Sequence, residues 1–282
     1  MREITLGQYY PVNSVIHRLD ARAKLILMIA YVVTVFFINT FIGYGVLAIL
    51  LLTTILLSKV PLLKVLKSLK VVIFLVVFTV LMSLFFYHGK EMTLLWQWKF
   101  IKIYKEGLLN AGRMTLRLIF LVLGPTILTF TTTPVQLTDG LESLLKPLKI
   151  VRFPVHELAI IMSIALRSIP ALVEETDKIS SAQKARCADF ESGNVFKRAK
   201  AMLPILIPLF VSSFRRADDL ADAIDSRCYR GSKGRTRMKK LKMSARDYVA
   251  FLVMSVFMFA ILWIRYNFFP TLIDFTAVAW LI

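Results

Sequence analysis

The chain has 282 residues, of which 57% are hydrophobic, and a formal net charge of +18. Soluble globular domains hold about 45–50% apolar residues, so this composition excludes an ordinary soluble fold and points to an integral membrane protein. The basic excess would suggest nucleic acid in a soluble chain; here it suits segments that face anionic lipid and cytoplasm, and two cysteines argue against a disulfide framework.

Residues 1–24 are polar and mixed in charge, with no secretory signal pattern. Residues 25–58 contain no charged side chain. One span needs about 20 residues, and Asn39, Thr40, Gly43 and Gly45 interrupt the stretch, so it reads as two spans, 24–40 and 43–58. Lys59, Lys64, Lys67 and Lys70 lead to a third span, 71–87. A segment with Trp96, Trp98, Tyr104 and four lysines suits a membrane interface. The fourth span is 118–133, containing Pro125.

The character then changes. Residues 134–246 hold 21 basic and 12 acidic side chains. Their longest apolar run, 201–214, has 14 residues and is broken by Pro204 and Pro208, which is short for a span. This region reads as a cytoplasmic helical domain. A fifth span, 248–264, and an apolar tail follow. The expected fold is an all-α polytopic membrane protein with about five transmembrane helices. It divides into 1–133, 134–246 and 247–282. The positive-inside rule puts the N-terminus and the 134–246 region inside: the inner pieces hold 4 basic residues before Leu25, 4 in 59–70 and 21 in 134–246, although the outer 88–106 loop also holds 4. Five spans then put the C-terminus outside.

Two long helices are expected in 134–246, at 156–190 with a stop at Gly193-Asn194, and at 196–229 with a stop at Gly231. Each carries an arginine between small residues near its end: Ala185-Arg186-Cys187 and Ser226-Arg227-Cys228. Helical spacing puts Leu172, Ile179, Ala182 and Arg186 on one stripe, and Ala217, Leu220, Ile224 and Arg227 on another. Small neighbours allow close approach, and guanidinium suits bidentate docking on a carboxylate. The plainer alternative is a helix-end arginine that complements the dipole. Periodicity alone leaves both open.

"KARCADF" and "DSRCYRG" resemble the two Ala-Arg-Gly-like triplets on the coupling helices of the transmembrane T component of energy-coupling factor (ECF) vitamin importers. Glycine or serine commonly follows the arginine there; both positions are cysteine here, and Ser226 replaces alanine. "NSVIHRLDARAKL" resembles the family's Ser-x-x-His-x-Leu-Asp-Pro-Arg-x-Lys segment, through His17, Asp20, Arg22 and Lys24, with Ala21 where proline is usual. The resemblance implies a scaffold without catalysis in a bacterial plasma membrane. Ala185, Arg186, Cys187, Ser226, Arg227 and Cys228 would dock two homologous ATP-binding subunits. Those subunits would bind ATP and magnesium, and this chain no cofactor. A small membrane substrate-capture (S) subunit would be the third partner.

Other motifs weigh less. Asp218, Asp219 and Asp222 match the Asp-Asp-x-x-Asp pattern of prenyl-transferring enzymes, which makes a membrane prenyl-type transferase the alternative. Arg215 stands at helical spacing to satisfy them, and a second aspartate-rich motif is missing. His17, His88 and His156, with Cys187 and Cys228, show no zinc spacing, and no phosphate-binding loop occurs. The basic run 230–242 reads as a headgroup anchor rather than a nucleic-acid site. Arg113 and Arg117 lie at the edge of the fourth span, and are expected either to snorkel to the outer interface or to face the S subunit.

Overall fold

The structure, a computed structural model, describes residues 9–85, 94–98, 101–151, 154–188, 190, 194–229, 231 and 243–268. It divides into two compact units, residues 7–140 with 241–282, and residues 1–6 with 141–240.

The first unit begins with α1 (Ala21–Phe37) and α2 (Phe41–Ser58). Asp20 caps α1 by accepting the Arg22 amide, and Thr40 caps α2 by accepting the Gly43 amide. Helices α3 (Leu62–Ser68) and α4 (Ile73–Phe85) follow, with a short 3₁₀ turn between them. Strands β1 (Leu94–Trp98) and β2 (Ile101–Tyr104) pair antiparallel, with Trp96 opposite Ile103 and Trp98 opposite Ile101. The alternation of aromatic residues that suggested an interface is thus also a strand period. It makes one small ribbon among the described residues, whose other regular elements are helices. Helix α5 (Lys105–Thr131) packs against α1, α2, α3 and α4, and α9 (Ala245–Phe268) packs against α1.

Two ring contacts explain why α5 sits at the centre. Tyr44 stacks on Phe120 with centroids 6.0 Å apart and donates its hydroxyl to the Ile38 carbonyl at 3.1 Å. The Tyr31 ring packs against Gly124, and its hydroxyl donates to the Phe120 carbonyl at 2.9 Å. Any side chain at Gly124 would overlap the Tyr31 ring. Pro125 follows directly and removes one helix amide, so this stretch of α5 is shaped to receive α1. Buried Val35, Leu47, Leu51, Met254 and Ile261 complete the core. The outward faces of α2, α4 and α9 remain apolar, with Ile49, Phe74, Leu252 and Phe259 largely exposed. Lipid would cover such faces.

The second unit contains α7 (Val155–Ala185) and α8 (Val195–Ser226), which pack together. Helix α6 (Pro134–Leu145) leads into it. Pro170 lies within α7, and Pro204 and Pro208 within α8, without ending either helix.

Among the described residues, α2, α5, α7 and α9 are long and apolar enough to cross a membrane, and the bent α3–α4 pair makes a fifth candidate. This differs from the five expected spans in two places. Helix α1 has only 17 residues and starts with Arg22 and Lys24 in its first turn. Helix α7 qualifies because its first half holds only two charged residues, Glu157 and Arg167, although its unbroken apolar runs are short. The fourth span is also the second half of a helix that starts at Lys105, well before residue 118.

Candidate docking site

Both long helices stop earlier than the glycines suggested, and the triplets are the stops. Helix α7 ends at Ala185, Arg186 is the cap, and Cys187 turns left-handed at φ 61°. The Cys187 amide bonds the Lys184 carbonyl at 3.0 Å, and the Ala188 amide bonds the Gln183 carbonyl at 3.1 Å. Helix α8 repeats this arrangement. Ser226 is its last residue, Arg227 follows, and Cys228 takes φ 55°. The Cys228 amide bonds the Asp225 carbonyl at 2.8 Å, and the Tyr229 amide bonds the Ile224 carbonyl at 3.4 Å. Each is the paired-bond C-terminal cap whose left-handed residue is usually glycine.

The spacing of the triplet now has a physical account. The first residue closes the helix, the arginine sits in the cap, and the third residue must accept a positive φ. A non-glycine residue there costs roughly 1–2 kcal/mol, and this chain carries a cysteine in that place twice. Ala185, Arg186, Cys187, Ser226, Arg227 and Cys228 are all exposed. Neither guanidinium has a hydrogen-bond or ion-pair partner among the described residues. Backbone amides take up the Gln183 and Lys184 carbonyls of α7 and the Ile224 and Asp225 carbonyls of α8, so the arginines are not needed to satisfy these. Dipole complementation stays available to them, but no bond holds either one down.

The stripes leading to the arginines are only partly covered. Leu172, Ile179 and Ile224 are half-buried, whereas Ala182, Ala217 and Leu220 are exposed. What joins α7 to α8 is a polar clamp that the sequence did not disclose. The Glu175 carboxylate accepts from the Ser212 hydroxyl and, at 3.1 Å, from Arg216. A groove beside the clamp is lined by Ile179, Ile207, Pro208 and Val211. Asp218, Asp219 and Asp222 are exposed on α8, Asp219 at the edge of this groove near Arg215 and Arg216.

The N-terminal motif is built in the opposite way. The Lys24 ammonium is buried, 6% exposed, and donates to the Thr131 carbonyl at 2.8 Å, to Thr132 Oγ1 at 3.2 Å and to the His17 carbonyl at 3.4 Å. His17 Nε2 donates to the Tyr10 carbonyl at 3.0 Å, which leaves Nδ1 to accept from Ser14 Oγ at 2.7 Å. Burial, with the Lys24 charge adding to it, holds the imidazole below its ordinary value and so neutral. Asp20 caps α1 with its side chain, while its amide donates to Asp247 Oδ1 at 2.9 Å. Asp247 Oδ2 accepts the Ser244 amide at 2.7 Å, and the residue is 1% exposed. Arg22 Nε is buried. The motif therefore ties the N-terminal segment, the end of α5 and the start of α9 to α1. Ala21 occupies the first helical position, where proline is favoured. Asp247 was missed by sequence reasoning, yet Ser244-Ala-Arg-Asp247 has the spacing of a capping box.

Arg117 settles one of the two open arginines. It donates to Asn39 Oδ1 at 2.9 Å, to the Ile38 carbonyl at 3.2 Å and to the Tyr44 hydroxyl at 3.3 Å, closing the α1–α2 turn. Of the three histidines, His17 belongs to the lock, His156 meets Glu142 at 3.2 Å, and His88 lies outside the described residues.

The chain matches the family model described as cobalt transport protein over residues 12–238. It is 51% identical over 250 residues, covering 89% of this chain and 92% of the relative, to the energy-coupling factor transporter transmembrane protein of Clostridium kluyveri. To the protein of that name from Ruminiclostridium cellulolyticum it is 48% identical over 269 residues, 95% of this chain and all of the relative. With that of Bacillus subtilis the identity is 44% over 262 residues, 92% and 98% of the two chains. A prenyl-type transferase finds no support in these relatives. The apolar helical bundle, the two matching helix caps and this near full-length likeness lead to one assignment: the chain belongs to the family of energy-coupling factor transporter transmembrane proteins, the T components, and is a non-catalytic, multi-pass membrane component of a transporter.

Proposed function

We propose that this chain links two homologous ATP-binding subunits to a small membrane-embedded S subunit, so that ATP hydrolysis in the former drives vitamin uptake through the latter. Arg186 docks one ATPase and Arg227 the other. ATP and magnesium are held by those subunits and no cofactor by this chain. The N-terminus and the 134–246 region, α7 included although it is long and apolar enough to cross a membrane, face the cytoplasm of a bacterial cell, as the distribution of Lys and Arg favours.

One observation carries the reading: two arginines occupy the same position of the same helix cap, both exposed and both without a partner among the described residues. A helix end fixed by paired backbone bonds presents its guanidinium with little backbone freedom left to lose on docking. The Glu175 clamp on Ser212 and Arg216 makes α7 and α8 respond together when either end is pulled. Exposed Ile161, Met162, Phe210 and Phe214 supply apolar area on these helices for the S subunit or for lipid.

Mass spectrometry of what co-purifies with the chain in mild detergent tests the assembly. Two related ATPases and a small apolar protein are expected. Recovery of the chain with no ATP-binding protein, under conditions that keep it folded, would refute the proposal.

A further inference from the structure

We infer that the end of the bundle remote from the N-terminal lock holds a binding site for an anionic phospholipid. The site is a cavity lined by Phe37, Ile38, Phe41, Ile42, Leu109 and Ile261, with Arg113 and Arg265 among its walls. Its lining is mostly apolar carbon, and among the described residues its only charged wall residues are the two arginines.

The depth fits a headgroup. Helix α5, long and apolar enough to cross a membrane, runs from Leu109 at the cavity to Thr131 at the lock, a rise of about 33 Å. A bilayer's hydrocarbon core is about 30 Å thick. A lock at one membrane face therefore sets the cavity near the other face, where phosphates lie.

The two neighbouring arginines of α5 differ in a way that points to a ligand. Arg117 spends its donors on the α1–α2 turn. Arg113, one turn earlier, makes no hydrogen bond or ion pair among the described residues, and its Nε is buried. A buried donor on a charged group without an acceptor is costly. Arg265 leans across the Phe37 ring, 5.8 Å from its centroid, and among the described residues reaches only the Phe37 carbonyl, at 3.4 Å. Two guanidiniums with spare donors match the oxygens of one phosphodiester, and the aromatic and aliphatic wall beneath them accepts the acyl chains. The phosphate supplies the acceptor that Arg113 lacks. A net negative headgroup is required because a zwitterionic one brings its own cation to two arginines.

Native mass spectrometry of the full-length chain, delipidated and then offered equal phosphatidylglycerol and phosphatidylcholine of the same acyl chains, tests this. The wild type is expected to retain phosphatidylglycerol at least about tenfold better. Arg113→Gln and Arg265→Gln should each remove most of that preference. Leu109→Trp, which fills the apolar wall and leaves both arginines, should remove bound lipid of either kind. A thermal melt in detergent without added lipid accompanies each variant, and any that melts like the wild type yet keeps phosphatidylglycerol overturns the site. Equal retention of the two lipids by the wild type overturns it as well. So does displacement of phosphatidylglycerol by millimolar inorganic phosphate, which would make the cavity a phosphate site. Protection of the cavity by a bound S subunit with no lipid retained would make it a protein contact instead.

Discussion

Lys24 and Arg186 are both cations in motifs that the sequence singled out, and the fold treats them oppositely. Lys24 is buried with three oxygen acceptors, and the groups around it, His17, Asp20 and Asp247, are satisfied by one another and by backbone. Arg186 and Arg227 stand in solvent at helix ends closed by backbone bonds to the Gln183, Lys184, Ile224 and Asp225 carbonyls. A buried cation whose donors are all used has its task inside the chain. An exposed one on a rigid cap, with its guanidinium donors free among the described residues, has its task outside. The two motifs look alike as strings of letters and separate only when the acceptors are counted.

The comparison can be broken first at the lock. Asp247→Ala would leave the amides of Asp20 and Ser244 without acceptors. Loss of two hydrogen bonds to a buried charge is expected to cost roughly 3 kcal/mol. Thermal melting in detergent should show the loss, while whatever remains folded keeps its affinity for the ATP-binding subunits. Lys24→Met keeps the stem and orphans the Thr131 carbonyl, at about 2 kcal/mol. A lock variant that stayed fully stable but lost its partners would show that the N-terminal motif is itself a docking site.

Gly124→Ala comes next. Its methyl would overlap the Tyr31 ring, forcing α1 away from α5 at about 1–3 kcal/mol. The companion change Tyr31→Leu should relieve most of that overlap, measured again by melting.

At the triplets the sign reverses. Cys187→Gly and Cys228→Gly remove the strain of positive φ and should each stabilise the chain, by about 1 kcal/mol. Neither should lower recovery of the ATP-binding subunits. Val at either position should cost stability by at least as much, because a β-branched residue resists that conformation most.

The smallest effect concerns pH. The folded state holds His17 below its ordinary value, so the unfolded chain takes up a proton first as pH falls. The contribution of His17 is therefore complete above about pH 6.5 and is lost as pH drops below it. Replacement of His17 by Gln should flatten melting temperature against pH in that window. A profile as steep as the wild type's would place the sensitivity elsewhere.

Much of this was legible in the sequence. Helices α2 and α9 followed from unbroken apolar runs between basic flanks, and the existence of α7 and α8 from their periodicity. Helix α5 is longer than its apolar run because Arg113 and Arg117, which look like a boundary, lie inside it, and the α1–α2 turn supplies acceptors for Arg117. The helix stops were misplaced for a different reason. Gly193 and Gly231 are the residues that ordinarily mark such ends, and a cysteine in a left-handed cap leaves no signal of its own. Spacing sets the stripes, yet on α8 Ala217 and Leu220 lie uncovered, since spacing tells which residues share a face and not what packs there. The Glu175 clamp needed two helices to be brought together and could not be read from either alone.

The central claim is that Arg186 and Arg227 hand one charge each to an ATP-binding subunit. Removing one partner of a desolvated pair typically costs about 2–5 kcal/mol, and reversing its charge costs more. Pull-down of the ATP-binding subunits should weaken strongly with Arg186→Glu or Arg227→Glu alone, with lysine at either position rescuing only in part. The most direct measurement is the double variant, Arg186→Glu with Arg227→Glu, whose caps and melting temperature should be unchanged. Complete loss of the ATP-binding subunits from the purified complex is the predicted result. Recovery of both at wild-type yield would contradict it and reduce the triplets to ordinary helix ends.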